Sequence, residues 1–276
     1  MNKKLLFLPI FSLIASGCFL ISKKEVSHKN EFDYGVFLGI DREDIDKITK
    51  YETVVIDAQY FEKEDIKYLH DNKQTVYSYF NVGSLENFRP YYNEYKEFAL
   101  GEYENWEEEV WMDVSNNTWR YFLEHTLAPE ILDKGVDGLF IDNLDVYYEY
   151  HTEAIYEGVK SILNYLYIQD TYLIINGGDA FVTEYIKERD GRTLAFHAVN
   201  QETIFSKINW EDETFGVNDK EEREYFQEYV ETVASCKKDI YLLEYTKDEK
   251  LIKEIEDYCY EKGFKYYISS SLELII

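Results

Sequence analysis

A short segment near the middle of the chain, DGLFIDNLD at 137–145, carries the densest group of side chains that could do chemistry. Gly138 to Asp142 read as a buried strand, because an apolar run with β-branched and aromatic side chains is typical of a parallel strand covered on both faces. Asp142, Asn143 and Asp145 follow at its carboxyl end, where α/β barrels place their acid–base and nucleophilic groups. The alternative is that the two aspartates cap the next helix or shape a turn.

Polar or ionisable side chains end almost every other predicted strand as well. In chain order they are Asp57; Asn81 and Ser84; Asp142 and Asn143; Asn176; Asn200, Gln201 and Glu202; Glu244 and Tyr245; and Ser269 to Ser271. Parallel strands end at one edge of a barrel, so this pattern predicts a polar, acidic cleft lined by the loops. Carboxylates and amides can hold hydroxyl groups and Tyr rings can stack on sugars, which favours a carbohydrate ligand. Tyr79 lies near these ends, although most of the 27 Tyr must be structural.

Nine strand-like runs alternate with amphipathic helical patterns along the chain. They span 34–40, 53–61, 75–83, 109–114, 137–143, 171–177, 195–202, 240–246 and 264–271. A strand followed by a helix, repeated, predicts parallel βα units. The run at 109–114 follows a long irregular stretch, so we assign it to an insertion after the third strand. The predicted fold class is therefore α/β, with a single (β/α)8 TIM barrel over residues 34–276.

The first seventeen residues are typical of an export signal. Lys3 and Lys4 precede an apolar run that is too short to span a bilayer as a helix. Cys18 directly follows three small residues, a pattern similar to the bacterial lipoprotein signal, in which that Cys is lipidated. We therefore expect a lipoprotein signal peptide at 1–17, a tether at 18–33, and an exported protein anchored to the cell membrane or outer membrane through Cys18. A plain signal peptide is the alternative.

Composition limits the classes of partner. The 276 residues are 45% hydrophobic and 17% aromatic, which is enough for a large core and argues against disorder beyond the tether. The formal net charge of −26 repels nucleic acid, so no nucleic-acid partner is expected. It would attract a cationic ligand, although an acidic surface can also serve only solubility. Cys236 and Cys259 could form one disulfide outside the cytoplasm or simply pack.

Five segments resemble motifs of glycoside hydrolase family 114. They are YSYFNVGSLENFRP (77–90), WEEEVWMDV (106–114), GVDGLFIDNLDVY (135–147), YLIINGG (172–178) and AVNQETIF (198–205). Characterised members of that family are barrel proteins that cleave α-1,4-linked galactosamine polymers. The resemblance implies a TIM-barrel hydrolase acting on a polysaccharide of galactosamine or N-acetylgalactosamine, which is cationic where its amino groups are free, with no cofactor.

The resemblance also implies roles for individual residues, with Asp142 as nucleophile and Glu202 as acid/base. The sequence alone selects the same pair, because each is the first carboxylate after its strand, and one intervening strand lets them face each other in a retaining mechanism. For Glu202 the alternative is an acid at a helix N-terminus. The predicted substrate-binding residues are Asp57, Tyr79, Asn81, Asp113, Asn143, Asp145, Asn176, Gln201 and Glu244.

Other chemistries fit this sequence less well. It contains no paired His motif for zinc, no G-x-S-x-G and no phosphate-binding G-x-x-x-x-G-K-[ST], so no metal or cofactor is expected. A metal site built from Asp57, Asp142 and Asp145 alone would have to hold Mg²⁺ or Ca²⁺. The main alternative function is a non-catalytic surface lipoprotein that keeps the barrel and binds carbohydrate or a partner.

Overall fold

The computed structural model describes residues 30–104, 106–189 and 193–276. Its strands are β1 (Phe32–Phe37), β2 (Tyr51–Ile56), β3 (Thr75–Asn81), β4 (Ser84–Glu86), β5 (Ala99–Glu102), β6 (Glu109–Met112), β7 (Gly138–Asp142), β8 (Tyr172–Asn176), β9 (Ala198–Glu202), β10 (Ser206–Asn209), β11 (Thr214–Val217), β12 (Asp239–Tyr245) and β13 (Lys265–Ser269). Its helices are α1 (Lys63–Asp71), α2 (Tyr92–Tyr95), α3 (Asn117–Phe122), α4 (Ala128–Leu132), α5 (Val146–Glu149), α6 (Glu153–Ile168), α7 (Asp179–Arg189), α8 (Lys220–Ser235) and α9 (Glu249–Lys262).

Eight of the strands form one parallel sheet in the order β1-β2-β3-β7-β8-β9-β12-β13. The end strands β1 and β13 lie next to each other, so the sheet curls into a nearly closed barrel with helices around it. Its strands are buried almost throughout, which explains why they are apolar on both faces. The α/β class and the (β/α)8 TIM barrel predicted from the sequence are confirmed.

Local sequence signals set the ends of the long outer helices. Thr152, Asp219 and Asp248 each precede a helix, and their side chains accept a hydrogen bond from a backbone N–H in its first turn. Helix α9 ends at Gly263, whose φ of 72° lies in the left-handed region that glycine adopts without strain. These signals fix where each helix packs back against the barrel.

Two antiparallel additions rise from the carboxyl-terminal edge of the barrel. Strands β4, β6 and β5 form a three-stranded sheet between β3 and β7, which confirms that the run at 109–114 belongs to an insertion after the third barrel strand. Strands β10 and β11 form a hairpin after β9 that we did not predict. Half of its strand residues are exposed and one is buried, so they lack the buried apolar pattern by which a strand is recognised in sequence.

The amino-terminal predictions lie mostly outside the described residues, including the signal peptide, Cys18 and nearly all of the tether. Strand β1 begins at Phe32, two residues before the predicted start of the barrel domain. Cys236 and Cys259 are free thiols. Across the described ranges, no helix is both long and apolar enough to cross a membrane.

Candidate active site

A single large cleft opens at the carboxyl ends of the barrel strands. Its volume is about 700 Å³, and its lining comes from the strand ends and from both antiparallel additions. That size suits a small organic ligand or a few sugar units. Acidic side chains dominate its charged lining: Asp57, Glu86, Glu108, Glu109, Asp142, Asp145, Glu202 and Glu273. Among the described residues that line it, Arg89 is the only basic one.

Two carboxyl groups meet at the floor of this cleft. The side-chain nitrogen of Asn176 donates hydrogen bonds to both of them, at 2.8 Å to Asp142 Oδ1 and 2.7 Å to Glu202 Oε1. The two acceptor oxygens therefore lie no further apart than these two bonds laid end to end. Tyr245 donates from its hydroxyl to the other oxygen of Glu202 at 2.7 Å. The arrangement holds two carboxyl groups close together at the floor of the cleft.

Adjacent strands deliver the pair and its bridge. Asp142, Asn176 and Glu202 end the neighbouring strands β7, β8 and β9. Asn143 then turns the chain out of β7 with a φ of 61°, a left-handed conformation that Asn adopts more readily than most residues. The backbone that follows β3 approaches this turn closely at Gly83. A Cβ on Gly83 would lie only 1.7 Å from the Asn143 carbonyl oxygen. Glycine is therefore required where these two strands end side by side.

Burial makes the two carboxyl groups weaker acids than usual. The pKa of Asp142 is raised to about 6: burial is the main cause, the hydrogen bond from Asn176 opposes it, and the nearby Glu202 adds to it. Burial likewise raises the pKa of Glu202, against hydrogen bonds from Asn176 and Tyr245. Two partly buried carboxyl groups this close disfavour a doubly ionised state. The pair is thus able to hold one proton near neutral pH.

Glu202 and Asp145 do not act as helix caps, which was the alternative for strand-end acids in the sequence. Glu202 is followed by the β10–β11 hairpin, so it is not at a helix N-terminus. Asp145 begins α5 without a capping bond from its side chain. Its carboxylate accepts a bond from the Gly178 backbone N–H at 3.2 Å instead, and burial raises its pKa to about 7, with Asp179 and Asp142 adding to the shift.

The structure brings six of the nine predicted binding residues to the cleft: Asp57, Tyr79, Asn143, Asp145, Asn176 and Gln201. The acceptor Gln201 Oε1 is buried there, and the described residues offer it no hydrogen-bond partner. Asp57 faces the cleft but is engaged by Arg89, whose guanidinium bonds it at 2.7 Å and Glu86 at 2.8 Å. The carboxylates hold the pKa of Arg89 above its usual value although burial opposes this.

Three predicted binding residues do not line the cleft, and their placement corrects the prediction. Asp113 follows β6 in the insertion, and its carboxylate caps a local turn by accepting bonds from the Ser115 backbone and hydroxyl. Glu244 is wholly buried and accepts bonds from the backbone N–H groups of Phe205 and Ser206, so it anchors the loop after β9. In both cases the carboxylate near the end of a strand accepts hydrogen bonds from the backbone of a neighbouring loop.

Asn81 is the third, and it lies just beneath the cleft floor. Its amide nitrogen donates to Ser84 Oγ at 2.7 Å, and its oxygen accepts from the Asn143 side chain at 3.2 Å. Asn143 in turn accepts a bond from the Tyr103 hydroxyl at 3.2 Å. Asn81 therefore supports the residues that line the cleft instead of facing it.

Several cleft residues were not selected from the sequence because they belong to the antiparallel additions. Glu109 bonds Ser84 Oγ, and burial raises its pKa to about 7, with Glu86 contributing. Trp106 and Trp210, from the β5–β6 and β10–β11 hairpins, face each other at the mouth. The segments 77–90 and 106–114, which resemble family motifs, contain four of these residues: Glu86, Arg89, Trp106 and Glu109. That resemblance was the sequence signal by which they could have been selected.

Metal ligands are not grouped in this cleft. Within the described parts of the chain, no set of three or more His, Cys, Asp or Glu side chains is arranged to hold a metal ion. Asp57 is tied to Arg89, and Asp142 to Asn176, so the three aspartates considered above do not converge on one point. The chemistry open to the site is that of its carboxyl groups, amides and aromatic rings.

A parallel (β/α)8 barrel with two partly buried carboxyl groups at the floor of an acidic cleft fits a glycoside hydrolase, whose reaction uses such a pair. The sequence matches glycoside-hydrolase family GH114 over residues 21–271, and the chain belongs to that family. The search of curated proteins finds no match.

Solved structures of glycoside hydrolases share the fold. The glycoside hydrolase domain of PelA from Pseudomonas aeruginosa superposes with a TM-score of 0.75 at 18% identity, covering 88% of this chain and 96% of that one. Ega3 from Aspergillus fumigatus, solved in complex with galactosamine, gives a TM-score of 0.67 at 17% identity, covering 89% and 93%. An α-galactosidase from Thermus thermophilus gives 0.56 at 11% identity, covering 90% and 60%.

Proposed function

We propose that this protein hydrolyses glycosidic bonds in an amino-sugar polysaccharide, with Asp142 as nucleophile and Glu202 as general acid and base. The observation that carries the proposal is the Asn176 side chain, whose one nitrogen bridges both carboxyl groups at the floor of the cleft. Membership of a glycoside-hydrolase family supports hydrolysis as the reaction.

The spacing of the pair supports a retaining mechanism. Retaining enzymes hold their two carboxyl groups about 5–5.5 Å apart, and bonds of 2.8 and 2.7 Å to a common nitrogen are compatible with that distance. Asp142 would attack the anomeric carbon while Glu202 gives its proton to the leaving oxygen, so the C–O glycosidic bond breaks as a glycosyl–Asp142 ester forms. Water then replaces Asp142 at that carbon and returns a proton to Glu202.

The protonation states suit these roles. Asp142, whose pKa is about 6, is mostly ionised at neutral pH and can act as nucleophile. Burial raises the pKa of Glu202, which favours the protonated form that a general acid requires. When the ester forms, the negative charge on Asp142 disappears, so the pKa of Glu202 falls and the carboxylate becomes ready to accept a proton from water.

The charge of the cleft supports an amino sugar as substrate. Acidic side chains line it, and its basic residue Arg89 is neutralised by Asp57 and Glu86. An ammonium group on the sugar would be attracted to this lining and, at longer range, to a protein of net charge −26. The structure of Ega3 with galactosamine supports the α-1,4-linked galactosamine or N-acetylgalactosamine polymer that the sequence motifs imply.

Reducing-end release from α-1,4-galactosaminan tests the function. Fully deacetylated, partly acetylated and fully acetylated chains would be compared, with the double variant Asp142→Asn/Glu202→Gln as control. Proton NMR of the first product to appear should show the α anomer if configuration is retained. Binding of these polymers without release from any of them would instead favour the alternative of a carbohydrate-binding surface lipoprotein.

The proposed location is the cell surface, through a lipid on Cys18 in the cell membrane or outer membrane. The support is the sequence pattern that precedes this Cys. Metabolic labelling with a lipid precursor tests it: the parent should be labelled and Cys18→Ala should not. A mature parent protein without label would contradict the anchor and favour a plain signal peptide.

A further inference from the structure

We infer that Tyr34 and Asn200 are positioning residues for the proposed reaction, forming a hydrogen-bond relay through the barrel interior that holds the Asn176 amide with its nitrogen toward Asp142 and Glu202. The inference rests on the proposed function for its importance to turnover. Its geometry depends only on the contacts inside the barrel.

The relay crosses the interior of the barrel. The Tyr34 hydroxyl, on β1, donates to Asn200 Oδ1 at 3.0 Å, and Asn200 Nδ2 donates to Asn176 Oδ1 at 2.6 Å. Strand β1 is not a neighbour of β9, which carries Asn200, so the Tyr34 side chain spans the interior to reach it. Tyr34 and Asn200 are 1% and 0% exposed, so water does not compete for these bonds.

The chemistry of each group fixes the direction of the relay. An ionised carboxylate only accepts hydrogen bonds, so the Asn176 amide must turn its nitrogen toward the pair and its oxygen toward Asn200. Asn200 must then present its nitrogen to Asn176 and its oxygen to Tyr34. A phenol hydroxyl can donate to that oxygen, which completes a chain in which every donor meets an acceptor.

Without the relay, the Asn176 amide would lose the bond that holds its oxygen away from the pair, and rotated orientations would become more populated. A rotated amide would place its oxygen, an acceptor, against two carboxyl groups and would withdraw both donor bonds. Those bonds now favour the ionised forms and oppose the rise in the pKa of Asp142 and of Glu202. Without them both pKa values should rise. Asp142 would then ionise only at higher pH, and Glu202 would keep its proton to higher pH.

The other ionisable groups around the pair remain in place when the relay is cut. Tyr79 on β3, Glu109 on β6, Tyr245 on β12, and Tyr103 and Asp145 from the loops surround the two carboxyl groups. A substitution at Asn200 or Tyr34 removes none of them. A change in the titration of the pair can therefore be assigned to the orientation of the bridging amide.

The experiment is a direct titration of the two carboxyl groups by carbon-13 NMR, with signals assigned through Asp142→Asn and Glu202→Gln. Asn200→Leu should shift both pKa values upward by about one unit, and Tyr34→Phe should shift them in the same direction by less. Tyr77→Phe is the matched control, because it removes a hydroxyl from a mostly buried tyrosine on a barrel strand that takes no part in the relay.

A conservative variant adds a rescue. Asn200→Asp keeps the shape, and complete burial favours its neutral form, which retains one donor and one acceptor. Its two carboxyl titrations should therefore lie closer to those of the parent than the titrations of Asn200→Leu. In a variant that cleaves the polymer, the acid limb of kcat/KM should move to higher pH with the pKa of Asp142.

Unchanged titrations of Asp142 and Glu202 in folded Asn200→Leu would overturn the inference, even if its Tm falls. If that variant does not fold, Tyr34→Phe decides in the same way. Turnover is measured separately: a parent protein that cleaves no amino-sugar polymer contradicts the proposed function, while the titrations still decide whether the relay orients the amide.

Discussion

Trp106 and Trp210 meet edge to face across the mouth of the cleft, with ring centroids 5.6 Å apart and planes at 77°. They come from two hairpins that rise from different sides of the barrel, and each ring stays about two-fifths exposed. Indole rings placed at the entrance of a sugar-sized cleft offer surfaces on which a pyranose can stack.

Removing one indole ring should weaken the binding of long polysaccharide chains. Trp210→Ala is expected to raise KM for galactosaminan several-fold with little change in kcat, since it removes apolar contact away from the carboxyl pair. The measurement is the kinetics of reducing-end release on polymer and on a short oligomer. Tyr260→Ala on α9 is the control, because this exposed aromatic lies outside the cleft and should leave both constants unchanged. A loss of kcat with KM unaltered would contradict a role in binding.

Neutralising either carboxyl group should abolish most turnover. Asp142→Asn and Glu202→Gln keep the shape of the side chains, so each should lower kcat by orders of magnitude with little loss of binding. Asp145→Asn should do less, because Asp145 bonds the Gly178 backbone and is not bridged by Asn176. Single-turnover rates and polymer binding by each variant provide the test. Near-normal rates in Asp142→Asn would refute its assignment and make Asp145 the better candidate.

The buried guanidinium of Arg89 should stabilise the folded protein. Arg89→Met leaves Asp57 and Glu86 as buried charges without a partner, which should lower the free energy of unfolding by about 3–5 kcal/mol. Urea denaturation measures this loss. Arg42→Met is the matched control, since Arg42 and Asp65 pair on the surface and such pairs contribute about 0–1 kcal/mol. Equal losses in the two variants would show that the buried pair is not special.

Stability should fall as pH rises through the weakly acidic range. Burial raises the pKa of Glu109, Asp145 and Glu244 to about 7, above the value of about 4 for an unfolded chain. The native state therefore binds more protons between about pH 4 and about pH 7, and the free energy of unfolding decreases as pH rises across that window. The Tm is expected to be lower at about pH 8 than at about pH 5.

Glu244→Gln isolates one of these contributions. The amide oxygen can still accept the bonds from Ser206, but Gln cannot take up a proton on folding as Glu244 does, so the decline of Tm with pH should be shallower than in the parent. Calorimetry across this pH range measures both slopes. A parent Tm that increases steadily toward about pH 8 would contradict the direction of these shifts.

The barrel and the carboxyl pair could be predicted from sequence for the same reason. Parallel strands buried on both faces are continuous apolar runs, and the first carboxylate after such a run, at Asp142 and at Glu202, must emerge at the carboxyl-terminal edge. Helix caps such as Asp219 and Asp248 are equally local. These features depend on residues that are close together in the chain, so the amino-acid sequence alone is sufficient to predict them.

Which other side chains reach the cleft was decided by tertiary structure. Asp113 follows a strand and Glu244 lies near the end of one, but each accepts bonds from backbone donors of a nearby loop. Glu109 and Trp210 reach the cleft because short hairpins fold back over the barrel. Strand order predicts the edge at which a side chain emerges. Its final direction depends on which donors and rings lie near it once distant segments have packed together.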